Sequence, residues 1–405
     1  MANRLPLEGI RVADFTWVWA GPFCTLQLAH LGAEVIRIET ATRPCVTRVL
    51  PPWAEGQFGV NRSGYFNQYN QGKLSLTLDL KQPRAVEIAK QLVAKSDIVC
   101  ENFAAGVMDR MGLGYSALRD VKPDIIMIAM SGYGAVGPER DFVSYGPAQV
   151  PLSGMSSLTG YQDWPPMHVG ISYGDPTAGL HGAFAILAAL LYRERTGRGQ
   201  FIDLSQQETT IAMLPEGVME YAMNGTQPPR QGNRDPHMAP HGVFRCAGEQ
   251  RWVAIAVRDE EDWRRFASAI GCPELANDAR YYTLADRKAH EDELEELVTQ
   301  WTVQRSAEEA TEVLQAAGIA AFPSYNSKDL AEDAHLNGSG LFVQLDHPEV
   351  GKRLHIGMPW RMSATPCAVR RPAPCLGEHT DYVMSDVLGY SKEALAQLRA
   401  DGVLA

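Results

Sequence analysis

Asp175 is the carboxylate whose setting invites chemistry, in the run Ile171-Ser-Tyr-Gly-Asp-Pro-Thr-Ala-Gly179. It precedes a long apolar stretch, and Pro176 follows it. Asp is a preferred helix N-cap, and a proline at the first helical position forfeits no hydrogen bond, so a plain cap explains both residues. A helix N-terminus also favours an ionised carboxylate, the form a covalent nucleophile must take. The two roles are compatible. His237 and His241 have the i, i+4 spacing of a helical chelate, but Pro236 and Pro240 break any helix there, and a loop with no metal is expected. The turn Trp17-Val-Trp-Ala-Gly-Pro22 lacks the GxGxxG glycines through which a backbone approaches a pyrophosphate, which disfavours a dinucleotide site. No GxSxG elbow or Walker loop is present, so serine hydrolase and P-loop chemistry lose support.

Elements must position Asp175, and the apolar pattern names them. Strand-like segments at Gly9–Phe15, Glu34–Glu39, Leu74–Leu80, Asp97–Phe103 and Asp124–Met130 alternate with helical ones at Pro22–Leu31, Pro83–Lys95 and Tyr115–Val121. Several strands are apolar on both faces, which predicts an α/β fold with a doubly wound parallel sheet covered on both sides. A buried helix is expected over Thr177–Arg195, then a glycine-punctuated turn and a strand within Thr196–Ser205. The Pro-, Gly- and Asn-rich run 224–242 reads as a linker or active-site loop. Beyond it come a hairpin over Gly242–Val257, helices at Asp259–Ala269, Asp292–Trp301 and Ala307–Ala317, and a strand at Ile319–Tyr325. Ser306 with Glu309 forms a capping-box spacing.

The chain has 405 residues, 45% hydrophobic and 21% charged, which excludes a disordered protein. A net charge of −11 disfavours nucleic-acid binding, and any anionic ligand needs a local basic pocket. Seven scattered cysteines without a CxxC pair suit reduced thiols and a cytoplasmic location. The opening MANRLPLEGIRVADF shows no export signal. The longest strongly apolar run, Ala178–Leu191, is 14 residues, short of the roughly 20 a membrane span needs.

Six segments in order resemble the class III CoA-transferases, the family of formyl-CoA transferase and the carnitine and bile-acid CoA-transferases. They are Asp14–Glu39, Asn70–Lys81, Cys100–Tyr115, the SGYG turn at Ser131, Gly174–Gln200 and Cys375–Val383. The resemblance implies a Rossmann-like large domain (residues 1–218, with the CoA site and nucleophile), a smaller inserted α/β domain (219–330) and a return to the large domain (331–405). It also implies an interlocked dimer, as a homodimer or a heteromer with a homologous subunit. Asp175 matches the family nucleophile. The CoA-contacting positions map onto Trp17, Val18, Trp19, Ala20, Lys73, Asn102, Phe103, Arg110, Met111 and Tyr145. No permanently bound cofactor is implied, with coenzyme A or acyl-CoA as substrate beside a carboxylic acid. Asp175 would attack the donor thioester, such as succinyl-CoA, to give a mixed anhydride, and returning thiolate would form an aspartyl-CoA thioester. Formyl-CoA transferase has His and Gln where Trp17 and Trp19 stand, and its tetraglycine loop has no counterpart near 229–240, so its acyl specificity does not carry over.

Lys73 and Arg110, with Arg37 behind them, are the candidate phosphate-binding cations. Trp17, Trp19, Tyr173 and Trp164-Pro-Pro166 give an aromatic surround that suits a bulky or aryl acid, an aryl-substituted succinate of the benzylsuccinate type being one specific case. Two rivals stand beside the transferase. An α-methylacyl-CoA racemase pairs the Asp with a His, but here Tyr145 occupies that place, and a phenol of ordinary pKa near 10 is a poor base for an α-proton. A non-catalytic CoA-binding subunit is the other; the intact Asp175 motif argues against it.

Overall fold

Six apolar segments form the strands β1 (Arg11–Asp14), β2 (Glu34–Glu39), β3 (Leu74–Thr77), β4 (Ile98–Glu101), β5 (Ile126–Ser131) and β6 (Phe201–Ser205). They pair in parallel in the order β3-β2-β1-β4-β5-β6, with Val12 opposite Val35 on one side and Ile98 on the other. β3, β4 and β5 are buried along their whole length, as a sheet covered on both faces requires. The computed structural model describes residues 5–405.

Alternation sorts adjacent residues to opposite faces. Ala13, Ile36, Val99 and Met127 enter a core with Ile88 and Leu92 of the helix Pro83–Ala94 and with Leu395 and Leu398 of the C-terminal helix Lys392–Ala400. Val12, Val35, Ile98 and Ile126 enter the other core, closed by the helices Ala20–His30 and Gly174–Thr196. The sequence-expected elements are present with ends moved by a few residues. The sequence reading leaves the helix Gly64–Tyr69 as loop.

The chain divides into two compact units. One gathers the chain up to Ser156, His168–Thr226 and Leu336–Ala405; the other comprises Ser157–Met167 and Gln227–His335. In the second, β7 (His241–Arg245), β8 (Trp252–Ala256) and β9 (Ala320–Pro323) form an antiparallel sheet. Trp263, Phe266, Leu294, Val298 and Leu314 join Val253 and Ile255 in its own core. The capping box of Ser306 and Glu309 is formed. In the first unit, β10 (Phe342–His347) and β11 (Gly351–Ile356) make a separate hairpin. No helix among the described residues is long and apolar enough to cross a membrane.

Candidate active site

The helix carrying Asp175 begins earlier than its sequence suggests, at Gly174 with Tyr173 as N-cap, and no side chain caps it. Asp175 is therefore not the cap expected of it. Pro176 falls in the first turn, where a missing N–H is still harmless. Freed from capping, the carboxylate turns to other elements. Oδ1 accepts from the Ala20 backbone N–H at 3.3 Å, and Oδ2 accepts from Ser172 Oγ–H. Ala20 opens the neighbouring helix Ala20–His30. Gly179 lets the two helices close this far: a Cβ there would stand 2.9 Å from the Ala20 carbonyl oxygen and 3.1 Å from the Cys24 nitrogen. Asp175 is 6% exposed. Burial pushes its carboxyl above the usual range, and the hydrogen bonds from Ser172 and Ala20 oppose that rise.

Asp175 borders a cleft of about 570 Å³. Its walls come from the carboxyl ends of the sheet strands: Trp17 and Val18 after β1, Thr40 and Arg43 after β2, Leu78–Lys81 after β3, Asn102 and Phe103 after β4, Gly132 after β5 and Gln206 after β6. The crevice outside the carboxyl ends, around the reversal between β1 and β4, is where open α/β sheets bind ligands. A second cavity, of about 540 Å³ and wholly in the other unit, is lined by residues such as Arg234, His241 and Phe322 without a carboxylate or thiol.

Of the residues expected at the site, Trp17, Val18, Asn102, Phe103, Met111, Tyr145 and Asp175 line the cleft together. Asn102 braces the first turn from β4: its Oδ1 accepts from Trp17 N–H at 2.7 Å and its Nδ2 donates to Trp17 O at 2.8 Å. Val18 adopts φ 62°, a left-handed conformation that costs a β-branched residue on the order of 1–3 kcal/mol. Its N–H reaches Cys45 Sγ at 3.3 Å. Such strain persists only where surroundings over-determine it, and it stands on the cleft wall. Ala20 is buried and contributes its amide alone. Arg110 is exposed on the short helix Val107–Arg110, beside the cleft residues Val107 and Met111.

Three expectations need correction. Trp19 does not line the cleft; it packs on Tyr65 and Tyr69 with ring centroids 5.7 and 5.0 Å away. Lys73 is fully buried, its ammonium donating to Pro22 O and Asn70 Oδ1, each at 2.9 Å, with Asp14 at 3.4 Å. It fastens the Trp17–Pro22 turn to β3 and presents no charge to a phosphate. Arg37 is likewise buried, beside Glu39 and Phe66. The cations that do line the cleft are Arg43, whose guanidinium lies 5.6 Å from the Trp17 ring centre, and Lys81. Both are exposed. Sequence reading missed them because an exposed Arg or Lys in a loop carries no distinguishing signal.

The aromatic surround also differs from expectation. Trp164 packs with Tyr161 in the second unit. Beside Asp175 stand instead Tyr65 and Tyr69, on the helix absent from the sequence reading. Their phenols are pushed up by burial first and by the Asp175 charge second, Tyr69 to about 12. Both are neutral at physiological pH. His237 and His241 form no metal cluster among the described residues; His241 Nδ1 meets Asn233 O at 2.7 Å.

The chain is similar to known proteins along nearly its whole length. The model of CoA-transferase family III matches residues 7–380. A succinyl-CoA–D-citramalate CoA-transferase of Chloroflexus aurantiacus is 33% identical over 98% of both chains. A formyl-CoA:oxalate CoA-transferase of Streptomyces avermitilis is 34% identical over 98% of this chain and 99% of its own. Among solved structures, a CaiB/BaiF family protein from Brucella suis superposes with a TM-score of 0.87 at 29% identity, covering 95% of this chain and 99% of that one.

Proposed function

The chain belongs to CoA-transferase family III and transfers CoA between an acyl-CoA and a carboxylic acid, and we propose that Asp175 carries the reaction covalently. The observation that supports this most is a buried carboxylate on a ligand-sized cleft, held by two donors from outside its own helix. In this reading Asp175 attacks the donor thioester carbonyl, forming a mixed anhydride and releasing CoA as thiolate. The thiolate adds back to the aspartyl carbonyl and expels the donor acid, leaving an aspartyl-CoA thioester. The acceptor carboxylate then runs the exchange in reverse.

The CoA thioester occupies the cleft as a substrate, with Trp17 and Phe103 (centroids 6.4 Å apart) flanking it and Val18, Asn102, Met111 and Tyr145 along the wall. Arg43, Lys81 and Arg110 supply the local positive charge that an acidic protein needs for a polyphosphate ligand. Succinyl-CoA is the proposed donor, in line with the name of the Chloroflexus relative. The acceptor is a bulky or aromatic acid of the benzylsuccinate type, supported by Trp17, Phe103, Phe142 and Tyr145 on the cleft wall. The assembly is a dimer with an identical or homologous chain, supported by the apolar exposed side of the Asp175 helix (Leu180, Phe184, Leu191). Seven free cysteines support a reducing, cytoplasmic setting.

Incubating the purified chain with succinyl-CoA and a panel of acids, with borohydride or hydroxylamine added during turnover, tests the core of this reading. Asp175 alone among carboxylates should be modified, and Asp175→Asn should be folded and inactive. Transfer by a folded Asp175→Asn protein would remove the assignment.

A further inference from the structure

The two oxygens of Asp175 are not equivalent. Oδ2 accepts from Ser172 Oγ–H, and Ser172 is itself 5% exposed. On its other side Oδ2 lies against the Cα of Gly146, so close that a Cβ at Gly146 would overlap both Oδ2 and Ser172 Oγ. No acyl group can be built onto an oxygen packed in this way. Among the described residues, Oδ1 is met only by the longer 3.3 Å contact from the Ala20 amide.

We propose that Oδ1 is the attacking oxygen and that Ser172 is a catalytic residue, the donor to Oδ2, which stays on the enzyme as the thioester carbonyl. The proposal rests on the reading of Asp175 as nucleophile. Attack by Oδ1 on the donor carbonyl carbon forms a C–O bond and breaks the C–S bond, whose electron pair leaves on the CoA thiolate. The thiolate then adds to Asp175 Cγ, and the electron pair of the Cγ–Oδ2 double bond moves onto Oδ2. Collapse breaks the Cγ–Oδ1 bond, so the donor acid departs as carboxylate with Oδ1 in it. The negative charge developing on Oδ2 is where the Ser172 hydroxyl already points, and a preorganised donor at that position is an oxyanion hole. No proton is consumed in either step.

Among the described residues, the other groups around this carboxylate are the Ala20 amide and Gly146, the neutral phenols of Tyr65 and Tyr69 that feel its charge, and Tyr145 on the same cleft wall. None of these is a charged side chain that would take over from Ser172.

Steady-state kinetics of Ser172→Ala, Ser172→Thr and Ser172→Cys across pH test the assignment. Loss of one oxyanion donor lowers kcat by roughly 100- to 1000-fold, and Ser172→Ala should show that loss with KM for both substrates unchanged. Its acidic limb should move to higher pH, because the hydroxyl also favours the ionised carboxylate. Ser172→Thr should recover most of the rate. Ser172→Cys, which keeps the volume but donates weakly, should lie near Ser172→Ala and serves if the alanine variant does not fold. An undiminished kcat, or a diminished one with no shift of the limb and no rescue by threonine, would overturn the proposal. Asp175→Asn in parallel separates the two levels: if it remains active the nucleophile reading fails, whereas an inactive Asp175→Asn beside a fully active Ser172→Ala removes only the role of Ser172.

Discussion

At Asp175 two demands oppose each other. A nucleophile must be ionised, yet burial disfavours the charge and holds the carboxyl above its ordinary range. The acidic limb of kcat/KM should therefore lie above the usual aspartate value near 4, and a pH–rate profile locates it. A raised folded-state pKa contributes stability below the unfolded value, and that contribution is lost as pH rises through the folded value. Asp175→Asn has no proton to lose. Its melting temperature relative to the native chain should be more favourable at neutral pH than below pH ~4; an unchanged difference across that range would mean that burial does not strain the charge. Charge decides the cations as well. Lys73 is buried against Asp14 and two oxygens, so Lys73→Ala should destabilise the fold by about 3–5 kcal/mol, the usual cost of breaking a buried pair. Arg43→Ala and Lys81→Ala should leave stability nearly untouched and weaken CoA binding by about 1–3 kcal/mol each. Calorimetric titration with CoA and with dephospho-CoA checks this. A loss confined to CoA assigns the cation to the 3′-phosphate, and no loss with either ligand places the phosphates elsewhere.

Between elements, the site depends on how closely two helices cross. The Ala20 amide meets Asp175 because Gly179 removes the side chain that would hold Ala20–His30 away. Gly179→Ala forces a methyl group toward a backbone oxygen 2.9 Å away, so something must shift. Overpacking of this kind costs about 1–3 kcal/mol. Here it should also cut activity, since the amide recedes from the carboxylate. Thermal melting with a parallel activity assay tests the pair of effects, and an unstrained, fully active Gly179→Ala protein would contradict the argument. The amino-acid sequence itself carries only part of this arrangement. β1 to β6 and the long helix follow from apolar period, and the cleft follows from where parallel strands end. Asp175 stood out by its motif. The helix Gly64–Tyr69 did not, because GYFNQY is six residues long with weak helical propensity and is fixed by tertiary packing. Tyr65 and Tyr69 stayed hidden with it. Ser172 was unreadable for another reason: a serine in a loop has many partners available, and only the fold brings its hydroxyl to Oδ2.

For the whole molecule, composition and surface point in different directions. A net charge of −11 should keep copies apart, yet the helix Gly174–Thr196 is apolar on both sides. Its inner stripe, Ala178, Gly182, Ile186 and Ala189, is buried, while Leu180, Phe184 and Leu191 lie outward at 50%, 75% and 54% exposure. The helix Pro215–Asn224 exposes apolar residues of its own: Val218, Met219, Tyr221 and Met223. Single chains rarely leave contiguous apolar patches larger than a few hundred Å² uncovered, and such patches mark interfaces. If this face is covered in the dimer, Phe184→Asp removes about 1.5–3 kcal/mol of apolar burial per chain, and a two-fold arrangement loses it twice. That loss, with two carboxylates added to an already acidic pair, should raise the dimer dissociation constant by about two orders of magnitude or more, since each ~1.4 kcal/mol is tenfold. The substitution touches no buried contact of the chain itself, so the melting transition of the separated protein should survive. Sedimentation velocity over a concentration series decides the matter. The native chain should sediment as a dimer and Phe184→Asp should shift toward single chains. Equal sedimentation of the two at every concentration would place the interface on another surface.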